Sequence, residues 1–217
     1  IEHAILHLLY SRFFMRAIKF CKKDIKIKEP FKGLFTQGMV CHETYKSEKG
    51  KWLSPDQVEN TETGMRSKID GSKIKVGPSE AMSKSKKNIV DPESMIKIFG
   101  ADAVRWFILS DSPPERDVQW STAGVSASHK FIQRIWGLNQ KVLNRKQGEI
   151  NSGDEKKLEL KFNEYIAKIT DLIENFQLNV AVAKIYEIAS LMENNLAKKI
   201  RNENLIILQN KFMKILL

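Results

Sequence analysis

The chain has 217 residues, 42% of them hydrophobic and 29% charged, enough to bury a sizeable core as one or two domains. Lysine and arginine outnumber aspartate and glutamate by 36 to 26, and the formal charge of +10 favours a polyanionic partner. No apolar run is long enough to span a bilayer, no basic-then-apolar leader is present, and two cysteines, Cys21 and Cys41, are too few for a disulfide framework; the expectation is a cytoplasmic protein without membrane attachment.

From Ile1 to about Lys23 apolar residues recur at helical spacing (Ile1, Ala4, Ile5, Leu8 and Leu9, then Phe14 and Ile18), and Glu29-Pro30 breaks the pattern. Gly33 to Cys41 has the aromatic, β-branched and glycine content of a short buried strand. Residues 45–77 are polar and read as a hairpin-like insertion, with Lys51-Trp52-Leu53 and Lys73-Ile74-Lys75-Val76 as its short strands. Asp91-Pro92-Glu93 opens a helix with an acidic cap and proline at the first helical position; it runs to Gly100, and Ala101 to Leu109 form a second. Ser112-Pro113-Pro114-Glu115-Arg116-Asp117 is an extended linker and the expected domain boundary.

Beyond Thr122 the pattern is helical: Ala123 to Leu143, Asp154 to Phe176, Asn179 to Ala197, and Asn202 to the end. Breaks at Gly148–Gly153 and at Gln177-Leu178-Asn179 suit antiparallel neighbours in a bundle. Trp106 and Trp136 fall in apolar helical stripes and are expected to pack rather than to stack on RNA. Ile1-Glu2-His3 enters its helical pattern without a cap, and Phe212 to Leu217 stops inside an amphipathic run, so the sequence reads as an internal fragment of a longer polypeptide.

The chemistry concentrates in Met82-Ser83-Lys84-Ser85-Lys86-Lys87-Asn88. Lysines interspersed with small hydroxyl residues cannot form a core strand, but they suit a polyphosphate: ammonium groups supply point charges, and serine hydroxyls and backbone N–H groups add short hydrogen bonds. A lysine that closes onto a departing pyrophosphate stabilises the transition state more than the ground state, because the leaving group gains charge.

Ala81-Met82-Ser83-Lys84-Ser85 resembles the KMSKS loop of class I aminoacyl-tRNA synthetases, and Asp91-Pro92…Phe99-Gly100-Ala101-Asp102-Ala103-Val104-Arg105 resembles the segment that follows it there. Glu2-His3-Ala4-Ile5-Leu6-His7-Leu8-Leu9-Tyr10-Ser11-Arg12-Phe13-Phe14 and Leu34-Phe35-Thr36-Gln37-Gly38-Met39-Val40 are similar to passages of the leucyl members; so are Lys86-Lys87-Asn88, Pro113-Pro114-Glu115…Asp117…Trp120-Ser121 and Arg134-Ile135-Trp136. Isoleucyl and valyl relatives usually have glycine where this chain has Lys87. The resemblance runs from residue 1 to about 140; beyond that only the helical character matches.

The resemblance implies an α/β fold, the C-terminal half of a Rossmann-like class I catalytic domain over 1–112, followed by an all-α helical bundle over 113–217 that binds tRNA. It implies ATP-dependent ligation of leucine to tRNA(Leu) through a leucyl-adenylate, with ATP entering as its Mg2+ complex and no protein-bound metal. Lys84 is then the catalytic cation on the phosphates, with Met82, Ser83 and Ser85 shaping its loop. Glu2 accepts hydrogen bonds from the ribose, Gln37, Gly38, Met39 and Val40 line the adenine side, and His3 and His7 lie beside the leucine side chain. Lys130, Arg134, Lys141 and Arg145 are candidates for tRNA phosphate contact, and a solvated face is an equal reading of each.

Two metal readings compete with these roles. His3 and His7 are spaced for zinc, but Ala4 stands where a metalloprotease carries glutamate and no third ligand is fixed; Cys41-His42 reads as a buried thiol beside an exposed imidazole. One position departs from the family: Ala81 replaces the first lysine of the loop, and Lys86 or Lys87 is placed to substitute for it in part. No His-x-Gly-His motif occurs, so the chain is expected to need an N-terminal half with an editing domain, in the same chain or as a separate subunit. The alternatives are another branched-chain (isoleucyl or valyl) synthetase, or a degenerate, non-catalytic tRNA-binding module.

Overall fold

A computed structural model describes residues 8–22, 24, 26–143 and 152–196, with side chains over 8–22, 24, 26–141 and 156–194. The chain first forms a mixed sheet with short helices and then three long helices. Of the helical stretch expected from Ile1, the described part is α1, Ser11–Cys21, preceded by a wider turn at Leu8–Tyr10. None of its residues is buried, and Phe13, Phe14 and Phe20 are 72%, 66% and 87% exposed. Arg12 is forked onto Glu29 at 2.6 and 2.9 Å, and Arg16 reaches the same carboxylate at 3.3 Å.

The sheet is built around β1, Val40–Ser47. One edge pairs antiparallel with β5, Ile74–Ala81, along its whole length. The other edge is shared: β6, Val118–Gln119, pairs parallel at Val40 and Cys41, and β2, Trp52–Leu53, antiparallel at Tyr45 and Lys46. A register shift between Glu43 and Thr44 turns Thr44 and Tyr45 inward together, so the strand does not alternate cleanly. Gly77 sits opposite this shift, where an added Cβ would lie 2.4 Å from the Thr44 hydroxyl. A separate hairpin, β3 (Val58–Thr61) with β4 (Gly64–Ser67), fills the insertion.

Two expectations are corrected here. Residues 33–39 form no strand; Leu34 and Phe35 are exposed, and the strand begins at Val40 and runs through His42-Glu43-Thr44-Tyr45-Lys46, which looks polar in sequence. The two short strands foreseen in the insertion exist, but each pairs with β1 instead of with the other.

Asp91 caps α2 (Pro92–Phe99) as its sequence requires, its carboxylate accepting from the Glu93 and Ser94 amides at 3.3 and 3.0 Å. Gly100, at φ 85°, turns the chain into α3 (Ala101–Asp111). Then follow α4 (Thr122–Leu143), α5 (Ser152–Glu174) and α6 (Leu178–Leu196); the α5–α6 break falls at Asn175–Gln177, two residues earlier than the spacing indicates. The main core joins Phe131, Ile135 and Leu138 of α4, Leu158 and Phe162 of α5, and Ile188, Ala189 and Met192 of α6.

Trp106 of α3 packs against that core and donates from Nε1 to the Tyr186 hydroxyl at 3.1 Å, as expected of a packing residue. Trp136 does not follow suit: it is 55% exposed, on the flank of the α4 stripe. A second cluster of Ala103, Phe107, Val118 and Val125 ties β6 to α3 and α4 across the Ser112–Asp117 segment. Gly124 allows the close α3–α4 approach, since a Cβ there would meet the Phe107 ring at 2.6 Å. Among the described residues, no helix is long and apolar enough to cross a membrane.

Candidate functional site

The loop after β5 is pinned by one buried amide. Cys41 and Ala81 are the last paired residues, and the Met82 amide then donates to the Val40 carbonyl at 3.2 Å. Asn88 is fully buried at the far end. Its Oδ1 accepts from the Ser83 amide at 2.9 Å, and its Nδ2 donates to the carbonyls of His42 and Glu80, each at 3.1 Å. A carboxamide alone among short side chains offers a donor and an acceptor side by side, so it closes the loop on the sheet edge with no orphaned group.

Inside this clasp the serines turn toward the loop. Ser83 Oγ accepts from the Lys86 amide at 3.4 Å and lies 3.3 Å from Ser85 Oγ. Lys84 is exposed and, among the described residues, engages in no ion pair. Lys86, by contrast, is paired with Glu80. Lys87 is exposed and adopts φ 55°, the left-handed region where glycine carries no penalty.

The second wall is Gln37 to Val40. The Gly38 amide donates to the Pro114 carbonyl at 2.8 Å, the Met39 amide to Asp117 Oδ1 at 2.8 Å, and the Val118 amide to the Met39 carbonyl at 2.9 Å. A Cβ on Gly38 would lie 2.1 Å from the Arg116 carbonyl oxygen, so the close approach that glycine permits here is by the Arg116 backbone. Gln37 and Met39 remain exposed. Burial, then the nearby Asp117 carboxylate, raise the Cys41 thiol pKa, which favours the protonated thiol. His42 is half-buried rather than exposed, with Nδ1 2.9 Å from the Glu43 carbonyl.

Of the expected site residues, the structure therefore brings together Met82, Ser83, Lys84 and Ser85 with Val40, and through Val40 with Gln37, Gly38 and Met39. Glu2, His3, His7 and Arg145 lie outside the described residues. Lys130 and Lys141 are exposed on α4. Arg134, on the same helix, is forked onto Glu193 at 2.9 and 2.5 Å and donates to the Ser190 hydroxyl at 3.2 Å, an internal tie between α4 and α6. The residues that the sequence reading left without a role are Asn88 and Asp117, which hold the two walls. An amide bounding a run of serine and lysine was the only signal for Asn88.

The family described as tRNA synthetases class I (I, L, M and V) matches residues 74–121, which hold β5, the clasped loop, α2, α3 and β6. The chain belongs to the class I aminoacyl-tRNA synthetases. Within the class its relatives are leucine--tRNA ligases: that of Zymomonas mobilis is 46% identical over 203 residues, 94% of this chain and 23% of the relative, and that of Neorickettsia sennetsu is 48% identical over 193 residues, 88% and 22% respectively. The chain thus falls in the leucyl-tRNA synthetase branch, and it spans about a quarter of the length of these relatives. A crystal structure of the ternary complex of Agrobacterium radiobacter K84 agnB2 LeuRS, tRNA and LeuAMS matches with a TM-score of 0.58 at 27% identity, over 89% of this chain and 21% of that one.

Proposed function

We propose that this chain supplies the phosphate-handling loop and a tRNA-binding helical region to an enzyme that ligates leucine to tRNA(Leu). The observation that carries the reading is the clasped 82–88 loop: both ends are held by Asn88, while Lys84 projects into solvent without an ion pair among the described residues. A leucine carboxylate oxygen attacks the α-phosphorus of ATP, which enters as its magnesium complex; the bond to the bridging oxygen breaks and pyrophosphate leaves. A terminal ribose hydroxyl of the tRNA then attacks the acyl carbon, and AMP departs. No covalent enzyme intermediate is involved, and catalysis is positioning plus charge stabilisation.

In this reading Lys84 follows the β- and γ-phosphates as charge grows on them, and Ser83, Ser85 and Met82 set the loop's shape. Gln37, Gly38, Met39 and Val40 face the adenosine, with Glu2 on the ribose and His3 and His7 beside the leucine side chain. Residues 1–112 act as the C-terminal half of a Rossmann-like catalytic domain, and 113–217 as a helical bundle whose Lys130, Lys141 and Arg145 meet tRNA phosphates; Arg134 joins them only by leaving Glu193. The remaining catalytic half and an editing domain come from sequence that the longer relatives carry. Two unpaired cysteines fit a cytoplasmic setting.

Ala81, in place of a loop lysine, supports a second reading, a degenerate module that binds tRNA without activating an amino acid. Amino-acid-dependent exchange of pyrophosphate into ATP by the full-length protein separates the readings. Exchange with leucine, and far less with isoleucine or valine, supports the first; none with any of the three, alongside intact tRNA binding, supports the second.

A further inference from the structure

Phe35 and Phe176 lie 141 positions apart in sequence, yet their rings stack with centroids 4.6 Å apart and planes at 24°. Phe35 precedes Thr36-Gln37-Gly38 on the loop that enters β1; Phe176 stands at the α5–α6 turn. Phe176 holds φ 56° in the turn that ends α5: its amide donates to the Ile173 carbonyl at 3.0 Å, and the Gln177 amide to the Leu172 carbonyl at 2.8 Å. Glycine is the residue this helix-ending turn favours, and a bulky aromatic there is a backbone outlier. The turn thus carries a ring at a conformational penalty, and that ring is 52% exposed and stacks on Phe35, itself 38% exposed. An outlier whose side chain has a specific partner is grounds for a functional hypothesis.

Thr36 and Gln37 are bracketed by two anchors. On the downstream side, Gly38 and Met39 are bonded to Pro114 and Asp117; on the upstream side, the described aromatic contact of the loop is the Phe35–Phe176 stack. We propose that this stack positions the Gln37–Val40 segment for the adenosine of ATP, and thereby couples the α5–α6 turn of the helical region to the nucleotide site. Phe176 is a positioning residue, acting through Phe35. The inference rests on the reading that Gln37–Val40 lines the ATP site. Without the ring, the loop samples other arrangements, and apparent ATP affinity falls by the fraction of time the competent one is populated.

The test is leucine-dependent pyrophosphate exchange by the full-length protein carrying Phe176→Gly, Phe176→Tyr, Phe35→Ala, or Phe35→Ala with Phe176→Gly. Phe176→Gly removes the ring and also the unfavourable φ, so its thermal midpoint holds or rises, and a loss of function is not a loss of fold. Its KM for ATP should rise about 3- to 10-fold, in line with the strength of an aromatic pair, while KM for leucine and kcat stay within about 2-fold. Phe176→Tyr should restore the parent value, and the double variant should be no worse than either single one. An unchanged ATP KM in Phe176→Gly, or single effects that multiply in the double variant, would overturn the proposal. Exchange absent from the unmodified protein removes the ATP-site reading and this inference together; normal exchange that no variant disturbs removes this inference alone.

Discussion

Asn88 shows how one buried side chain organises an exposed loop. Its amide donates to the carbonyls of His42 and Glu80 and accepts from the Ser83 N–H, tying the turn that follows β5 to the sheet. Asn88→Ala removes all three bonds, the acceptor of the Ser83 amide among them, and the cost is about 2 kcal/mol, so that amide should exchange hydrogen roughly 30-fold faster. Hydrogen exchange read by mass spectrometry checks this; protection equal to the parent would mean that the clasp does not hold the loop. Ala81 is exposed beside the same loop, and Lys86 is paired with Glu80. Ala81→Lys in the full-length protein should therefore speed single-turnover adenylate formation, with a ceiling of about 10- to 100-fold from one charge-assisted contact. A rate identical to the parent's would show that Lys84 suffices.

At the level of elements, the middle of α4 is tied to the last turn of α6 by Arg134 and Glu193. The Arg134 hydrogen bond holds the Glu193 carboxyl below its ordinary value of 4.5, with burial opposing it. A carboxyl lowered in the folded state contributes stability above its unfolded pKa and loses it as pH falls through the folded value. The α4–α6 contact should therefore weaken below about pH 4.5, and because the pair is about a third exposed, by no more than about 1 kcal/mol. An acid titration of helix content in Glu193→Gln should lack this component; an unchanged acid limb would dismiss the tie. The helices were legible in the sequence because their signals are local: Asp91 caps as written, Gly100 breaks as written, and the apolar stripes of α4, α5 and α6 face one core. Strand β1 was not, because its pairing partners lie at 52–53, 74–81 and 118–119, and two of its three buried residues are Thr44 and Tyr45 in a polar-looking stretch. The loop's chemistry could be read from composition, but the burial of Asn88 depends on carbonyls at His42 and Glu80 that only the folded sheet brings together.

Across the whole molecule, a charge of +10 and a helical region with exposed Lys130 and Lys141 are set against a sheet region that carries the loop. If those lysines neutralise tRNA phosphates, log affinity falls linearly with log salt, and Lys130→Ala with Lys141→Ala should flatten the slope by close to 2 in the full-length protein. A slope equal to the parent's would leave both as solvated surface. The unburied phenylalanine face of α1 and the quarter-length match to the relatives are reasons to make every such measurement on the full-length protein. The account is tested most directly by rapid-quench formation of leucyl-adenylate by full-length protein with Lys84→Ala. One charge-assisted contact to the leaving pyrophosphate predicts a fall in the chemical step of roughly 100-fold with leucine binding unchanged; an undiminished rate would contradict the role of Lys84, and with it the assignment of the clasped loop to ATP.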